Sequence, residues 1–222
     1  FISESCLEEL ESAKGSLWER FKSLSASLPG DAVIKVSDHV FEKISSQKSP
    51  QGMLAVIRTL SYKKEDITKG NPLILILEDI QDPGNVGTIF RTAEAAGVTG
   101  ILLSEGCADP LSPKVVRSSM GAIFRMPFVF APDLPEAVAG LEKDGISCFA
   151  ARLDAASEYD KCDLTAPSAL LIGNEGNGLS AEVTAAASKG IYIPMSGKTE
   201  SLNAAVSASI LSYEAARQRR NK

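Results

Sequence analysis

Three short stretches hold the residues best suited to chemistry. The first is Asn85-Val86-Gly87, with Arg91 six positions after Asn85. The second is Gly173-Asn174-Glu175-Gly176-Asn177-Gly178, one carboxylate set among three glycines. The third runs from Ile193 and Pro194 through Met195 to Ser201, Leu202 and Asn203. Each stretch follows an apolar run and leads into a helical pattern. That is where ligands bind in α/β proteins, at the carboxyl ends of strands. Glycines there let backbone N–H and C=O groups approach a ligand closely. Neither G-x-G-x-x-G nor G-x-x-x-x-G-K-[ST] is present. Each polar residue also has a plain structural reading. Asn85 then caps a helix, Arg91 and Glu175 are solvated charges, and Ser201 or Asn203 caps the last helix.

Other chemistries have less to draw on. Cys6, Cys107, Cys148 and Cys162 form no C-x-x-C pair, and His39 is the single histidine, so no metal site is expected. Four reduced thiols in an intracellular protein are expected instead. His39 alone does not make a Ser-His-Asp triad. Net charge is −5, which counts against a nucleic-acid binder, because phosphate contacts supply most non-specific affinity. Local charge matters more. Lys114, Arg117 and Arg125 share one segment, and Arg217, Arg219, Arg220 and Lys222 close the chain, where they also suit a helix C-terminus. No apolar run approaches the ~20 residues a membrane helix needs, so no membrane partner is expected. The chain starts without methionine, as a fragment or processed product would. The expected location is the cytoplasm; a mitochondrial or plastid enzyme without its transit peptide would read the same way.

The elements that must position these residues follow from periodicity. Leu73–Leu77 is unbroken by polar residues and reads as a strand buried on both faces. A helix follows it and closes at Gly97. Strands are expected at 101–104, 127–130, 146–151, within 164–173, and at 191–194. Helices are expected from Pro113, at 134–143, from Ser180 to Ser188, and at 202–219. This alternation predicts an α/β domain over 72–222, a parallel sheet with helices on both faces. Before it, 1–65 reads as a small α/β module: a helix over 5–28, a strand at 32–37, a helical turn at 38–45 and a strand at 53–60. Residues 63–72 read as a linker.

Taken together, the three stretches resemble the SpoU/TrmH family of S-adenosylmethionine-dependent RNA ribose 2′-O-methyltransferases. The matching pieces are N-x-G-x-x-x-R-T-A from Asn85 to Ala93, I-G-N-E-G-x-G from Ile172 to Gly178, and I-P-M-x-G-x-x-x-S-L-N from Ile193 to Asn203. In this order and spacing the set is specific. The segment Ser49 to Ile57 resembles the end of an L30e-like RNA-binding domain, so the first module is expected to be partial.

The resemblance implies a C-terminal trefoil knot, a homodimer with its site near the interface, and an rRNA or tRNA substrate. It implies S-adenosylmethionine held around Gly173, Ile193 and Leu202, with Asn174, Gly178 and Met195 in the same loops. It makes Arg91 the activator of the ribose hydroxyl, and gives Asn85, Glu175, Ser201 and Asn203 orienting roles. No metal is implied, since a sulfonium methyl is already electrophilic. Two other classes remain open: a non-catalytic RNA- or ribosome-binding protein with this fold, and a knotted methyltransferase acting on a base nitrogen.

Overall fold

The structure, a computed structural model, describes residues 1–199 and 201–221. The chain divides into two compact units, Phe1–Thr59 and a larger one from Leu60 onward.

The first unit contains β1 (Ile2–Ser3), α1 (Glu4–Ala13), α2 (Ser16–Ser27), β2 (Lys35–Val36) and α3 (Asp38–Ile44). Two expectations fail here. The single helix over 5–28 is two, because Lys14 turns left-handed (φ 46°) and Gly15 starts the second. The strand at 53–60 is irregular chain. Its pairing is limited to β1, which is two residues long: Met53 bridges Ile2, and Leu54 N–H donates to Phe1 O at 3.0 Å. A longer strand would leave its backbone groups without a ladder. The strand expected at 32–37 shrinks to β2, which pairs in parallel with β1.

The second unit begins earlier than the composition suggests. The expected linker holds α4 (Lys64–Ile67), whose Ile67 is fully buried and accepts a hydrogen bond from Thr99 Oγ1 at 2.8 Å. Next come β3 (Leu73–Leu77), α5 (Pro83–Ala96), β4 (Gly100–Ser104), α6 (Pro113–Ser118), β5 (Phe128–Ala131), α7 (Leu134–Lys143) and β6 (Ser147–Ala151). The chain continues through β7 (Ser157–Glu158), β8 (Ser168–Ile172), α8 (Ala181–Ala186), β9 (Lys189–Tyr192) and α9 (Ala204–Arg220). All but β7, where no strand is expected, fall within a few residues of the expected elements.

Seven strands form one sheet in the order β5-β4-β3-β8-β6-β9-β7. Every pairing is parallel. Burial explains the apolar runs. Side chains alternate between faces along a strand. Leu73, Leu75 and Leu77 join α5 and α9 in one core, while Ile74 and Ile76 join Leu134, Val138 and Leu141 of α7 and Val183 of α8 in the other. Both faces are therefore covered, as parallel sheets require.

From β3 the chain adds β4 and β5 on one side, then crosses to build β6, β7, β8 and β9 on the other. The sheet thus reverses direction beside β3, where β8 is its neighbour. Such a reversal opens a crevice at the strands' carboxyl ends.

Helix α9 closes the unit. It packs on α5 and against β8 through its small-residue face, which buries Ala204, Ala205 and Ala208. Ser209 Oγ reaches Thr92 Oγ1 of α5 at 3.3 Å. The basic end of α9 is engaged within the unit. Arg217 pairs with Glu214 at 2.7 Å. Arg219 donates to four carbonyls, those of Leu164 (2.9 Å), Asn71 (2.9 Å), Pro72 (2.9 Å) and Ala166 (2.7 Å). Partial burial lowers the pKa of its guanidinium from the ordinary arginine value. Lys222 lies outside the described residues.

Arg219→Ala removes the shared donor from all four carbonyls, of which Pro72 O keeps Ser168 N–H (3.0 Å) and Ala166 O keeps Ser168 Oγ (2.7 Å). Its expected cost is about 2 kcal/mol, a fall in Tm on the order of 5 °C. Thermal unfolding followed by circular dichroism reads this, and an unchanged Tm would show that water replaces the clamp.

Candidate active site

A cavity of about 910 Å³ opens at the carboxyl ends of β8, β6 and β9. Its walls come from the ends of β6, β8 and β9, the loops that follow them, and the first turns of α8 and α9. Gly173, Asn174, Glu175 and Gly178 line one side. Ile193, Met195, Ser201 and Leu202 line another. The loop after β8 is folded tightly. Asn174 and Gly178 bridge each other, and a Cβ on Gly173 would lie 2.2 Å from the Gly178 carbonyl carbon. No side chain fits at residue 173.

Asn85 does not cap its helix. Asp82 does: its carboxylate accepts from Asn85 N–H at 2.9 Å, and Pro83 takes the first helical position. The Asn85 side chain is thereby released to face the other two loops. Its Nδ2 donates to Glu175 Oε1 at 2.7 Å, and its Oδ1 accepts from Asn203 Nδ2 at 3.0 Å. Asn203 is the cap of α9, with Oδ1 accepting from Ala205 N–H (2.9 Å) and Val206 N–H (3.3 Å).

The direction of this chain of bonds is determined at both ends. Backbone N–H groups can only donate, so Asn203 must turn its oxygen to α9 and its amide nitrogen to Asn85. A carboxylate can only accept, so Asn85 must turn its nitrogen to Glu175. Two amides thus connect the positive end of a 17-residue helix to a carboxylate in the cavity wall.

Arg91 is placed apart. Six residues along α5 turn it roughly 120° around the axis from Asn85. It is exposed, is not part of the cavity wall, and makes no hydrogen bond or ion pair among the described residues. Gly87 of the same motif serves packing: a Cβ there would lie 1.8 Å from Ser118 Oγ, so α5 and α6 meet only over glycine.

Sequence reasoning passed over the Arg152–Asp154 pair, which lines the cavity just past β6. Arg152 Nε and an Nη donate to the two carboxylate oxygens of Asp154, both at 2.7 Å. That hydrogen bonding holds the Asp154 carboxyl below the usual range and raises Arg152. The signal was available, since the pair stands at a strand's carboxyl end. The four thiols are free. Burial pushes Cys148 up to about 12 and raises Cys107 as well. Among the described residues, no group of three or more His, Cys, Asp or Glu side chains stands close enough to hold a metal. No described helix is long and apolar enough to cross a membrane.

A parallel α/β sheet with a ligand-sized cavity at the carboxyl ends of its strands defines the class of protein. The family follows from comparison. The SpoU rRNA Methylase family matches residues 72–213, and the chain belongs to that family. It is 37% identical over 183 residues to an uncharacterised tRNA/rRNA methyltransferase of Synechocystis, covering 82% of this chain and 66% of that protein, just under two thirds of its length. It is 32% identical over 215 residues to the Bacillus subtilis 23S rRNA (guanosine(2553)-2′-O)-methyltransferase RlmP, covering 95% and 85%. Among solved structures it is similar to the AdoMet-bound rRNA methyltransferase of Sinorhizobium meliloti, with TM-score 0.76 and 32% identity over 82% of this chain and 70% of that one. The AdoMet complex of AviRb from Streptomyces viridochromogenes gives TM-score 0.68 and 34% identity over 72% and 66%.

Two variants separate the roles of Asn203. Asn203→Ala loses the cap and is expected to cost about 1 kcal/mol. Asn203→Asp keeps an acceptor at the helix N-terminus, so its stability should stay near wild type while the amide chain is broken. Thermal unfolding compares them, and equal losses would show that the cap is not what Asn203 contributes to stability.

Proposed function

We propose that this protein is an S-adenosylmethionine-dependent methyltransferase that places a methyl group on the 2′-hydroxyl of a ribose in rRNA or tRNA. The observation that carries this reading is the Glu175–Asn85–Asn203 chain beside the cavity, in a member of the SpoU family. RlmP, named for 2′-O methylation, supports the ribose as target.

The cavity fits the cofactor. At about 910 Å³ it has the size of a cofactor site. Ile172, Ile193, Leu202 and Leu211 offer apolar wall for a base, and the 173–178 loop offers backbone groups at close range. When bound, S-adenosylmethionine supplies an electrophilic sulfonium methyl. The residues of the chain supply position. Glu175 and Asn85 orient the ribose by hydrogen bonds, and Ser201 adds a hydroxyl in the cavity wall. Alignment of this kind contributes several kcal/mol to a bimolecular step.

The ribose hydroxyl is a poor nucleophile whose proton must leave. Arginine is a poor base but a strong phosphate ligand. Arg91 therefore acts by gripping the RNA backbone and orienting the ribose. In a single chain it stands away from the cavity, and a homodimer would present the α5 face that bears it to the cavity of a second copy. Exposed Val206 (45%) and Tyr213 (48%) lie two helical turns apart on α9 and support a face for such a partner. Equilibrium sedimentation reads the dimer: a particle of two chains supports it, and a single chain at micromolar concentration argues against it. The trefoil knot belongs to this reading too, supported by the convergence of 173–179, Ile193, Met195, Ser201 and Leu202 on one cavity and by the return of α9 onto α5. We read residues 1–59 as part of an L30e-like module that meets substrate RNA, supported by the segment Ser49 to Ile57.

Calorimetric titration with S-adenosylhomocysteine should show one site per chain. Leu202→Arg should abolish that binding, because it puts a charge into the apolar wall. Arg91→Ala should leave affinity within about twofold yet reduce methyl transfer to RNA by on the order of a hundredfold or more. Loss of both binding and transfer in Arg91→Ala would make Arg91 structural; no binding by folded wild type would overturn the cofactor assignment.

A further inference from the structure

Asp79 stands two residues past β3, and its backbone is left-handed, with φ of 54°. That conformation is strained for a residue with a Cβ and persists only where the surroundings over-determine it. Three hydrogen bonds do so. Asp79 N–H donates to Ser104 Oγ at 2.8 Å. The Ser104 hydroxyl donates back to Asp79 Oδ1 at 2.6 Å. The Asp79 carbonyl accepts from Asn174 Nδ2 at 2.8 Å. Ser104 is buried at the end of β4, so its hydroxyl has little access to water as an alternative partner.

Asn174 carries the effect into the cavity. Its Oδ1 accepts from Gly176 N–H (2.9 Å) and Asn177 N–H (3.1 Å), while its own carbonyl accepts from Gly178 N–H (2.9 Å). One amide therefore pins the loop at both ends, to Asp79 on one side and to residues 176–177 on the other. Glu175 sits between them.

We propose that Asp79, locked left-handed by Ser104, is a positioning residue that sets the 174–178 loop through its carbonyl, and with it Glu175 and one wall of the cofactor site. Asp79 is not part of the cavity wall, and the task of its carboxylate is to hold the backbone. A right-handed or extended Asp79 would swing its carbonyl away from Asn174 and leave the loop without this anchor. The inference rests on the methyltransferase reading only for what the loop binds.

The test uses the full chain, four single variants (Asp79→Ala, Asp79→Gly, Ser104→Ala and Asn174→Ala) and one double variant. Two readouts are taken: amide hydrogen exchange over 174–178 and calorimetric affinity for S-adenosylhomocysteine. Glycine adopts positive φ freely, so Asp79→Gly should stay within about threefold of wild type in affinity. Asp79→Ala, Ser104→Ala and Asn174→Ala should each weaken affinity about tenfold and speed exchange in the loop. The Asp79→Ala/Asn174→Ala double variant should be no worse than either single, since both break one anchor. Rescue by glycine is the result a merely structural aspartate would not give. The proposal is overturned if Asp79→Ala matches wild type in exchange, or if Asp79→Gly is as poor as Asp79→Ala. Should wild type bind no S-adenosylhomocysteine, the cofactor reading fails, while the exchange data still decide the role of Asp79.

Discussion

The site depends on one chain of side-chain amides. Asn203 must cap α9, Asn85 must satisfy Asn203, and Glu175 must accept from Asn85. These three residues lie far apart in sequence, separated by 90 and 118 positions from Asn85. Nothing but the fold brings them together, and the donor–acceptor logic admits one arrangement. A carboxylate held this way has a defined direction before any substrate arrives. Such preorganisation is how a protein aligns two reactants without providing a strong base.

The sheet serves that chain. Strands buried on both faces form a rigid floor, and β3 and β8 pair residue for residue from Leu73–Ser168 to Leu77–Ile172. The ladder runs one bond further, from Glu78 N–H to Ile172 O at 2.9 Å. Glu78 Oε2 then accepts from Ser180 N–H at 2.8 Å, which ties the start of α8 to the same edge. Both loops therefore leave the sheet at fixed points. Close packing brings the helices to them. Gly87 lets α5 meet α6, and the alanine face of α9 lets it meet α5. A methyl group at residue 87 would meet the Ser118 side chain and the Val115 carbonyl, so this contact between α5 and α6 would have to open.

Much of this was legible because burial is written in period and composition. Leu73–Leu77 could only be a doubly buried strand, and Gly97 ends α5 as its left-handed φ of 78° allows. The glycine spacing of 173–178 pointed to a close loop. The failures share a cause: they turn on partners that a local pattern does not display. Asn85 fits a cap by residue type, but Asp82-Pro83 is the stronger start signal, an N-cap followed by proline at the first helical position. The apolar run that opens 53–60 suggests a strand, yet β1 is too short to pair with it. The helical spacing of Leu7, Leu10, Leu17, Phe21, Leu24 and Leu28 runs across the break at Lys14-Gly15 and hides it. The left-handed Asp79 and the four carbonyls around Arg219 arise only from tertiary contact, and no spacing announces them. Arg91 was legible as a motif residue, but its distance from the cavity within one chain was not.

The most direct measurement is where the methyl group goes. Unmodified rRNA and tRNA transcripts are incubated with the protein and methyl-deuterated S-adenosylmethionine, digested to nucleosides, and separated by mass spectrometry. The expected result is deuterated methyl retained on the ribose fragment of one nucleoside, absent with Arg91→Ala. Label on the base fragment, or no label in either RNA from a folded protein that binds S-adenosylhomocysteine, would contradict ribose methylation by this site.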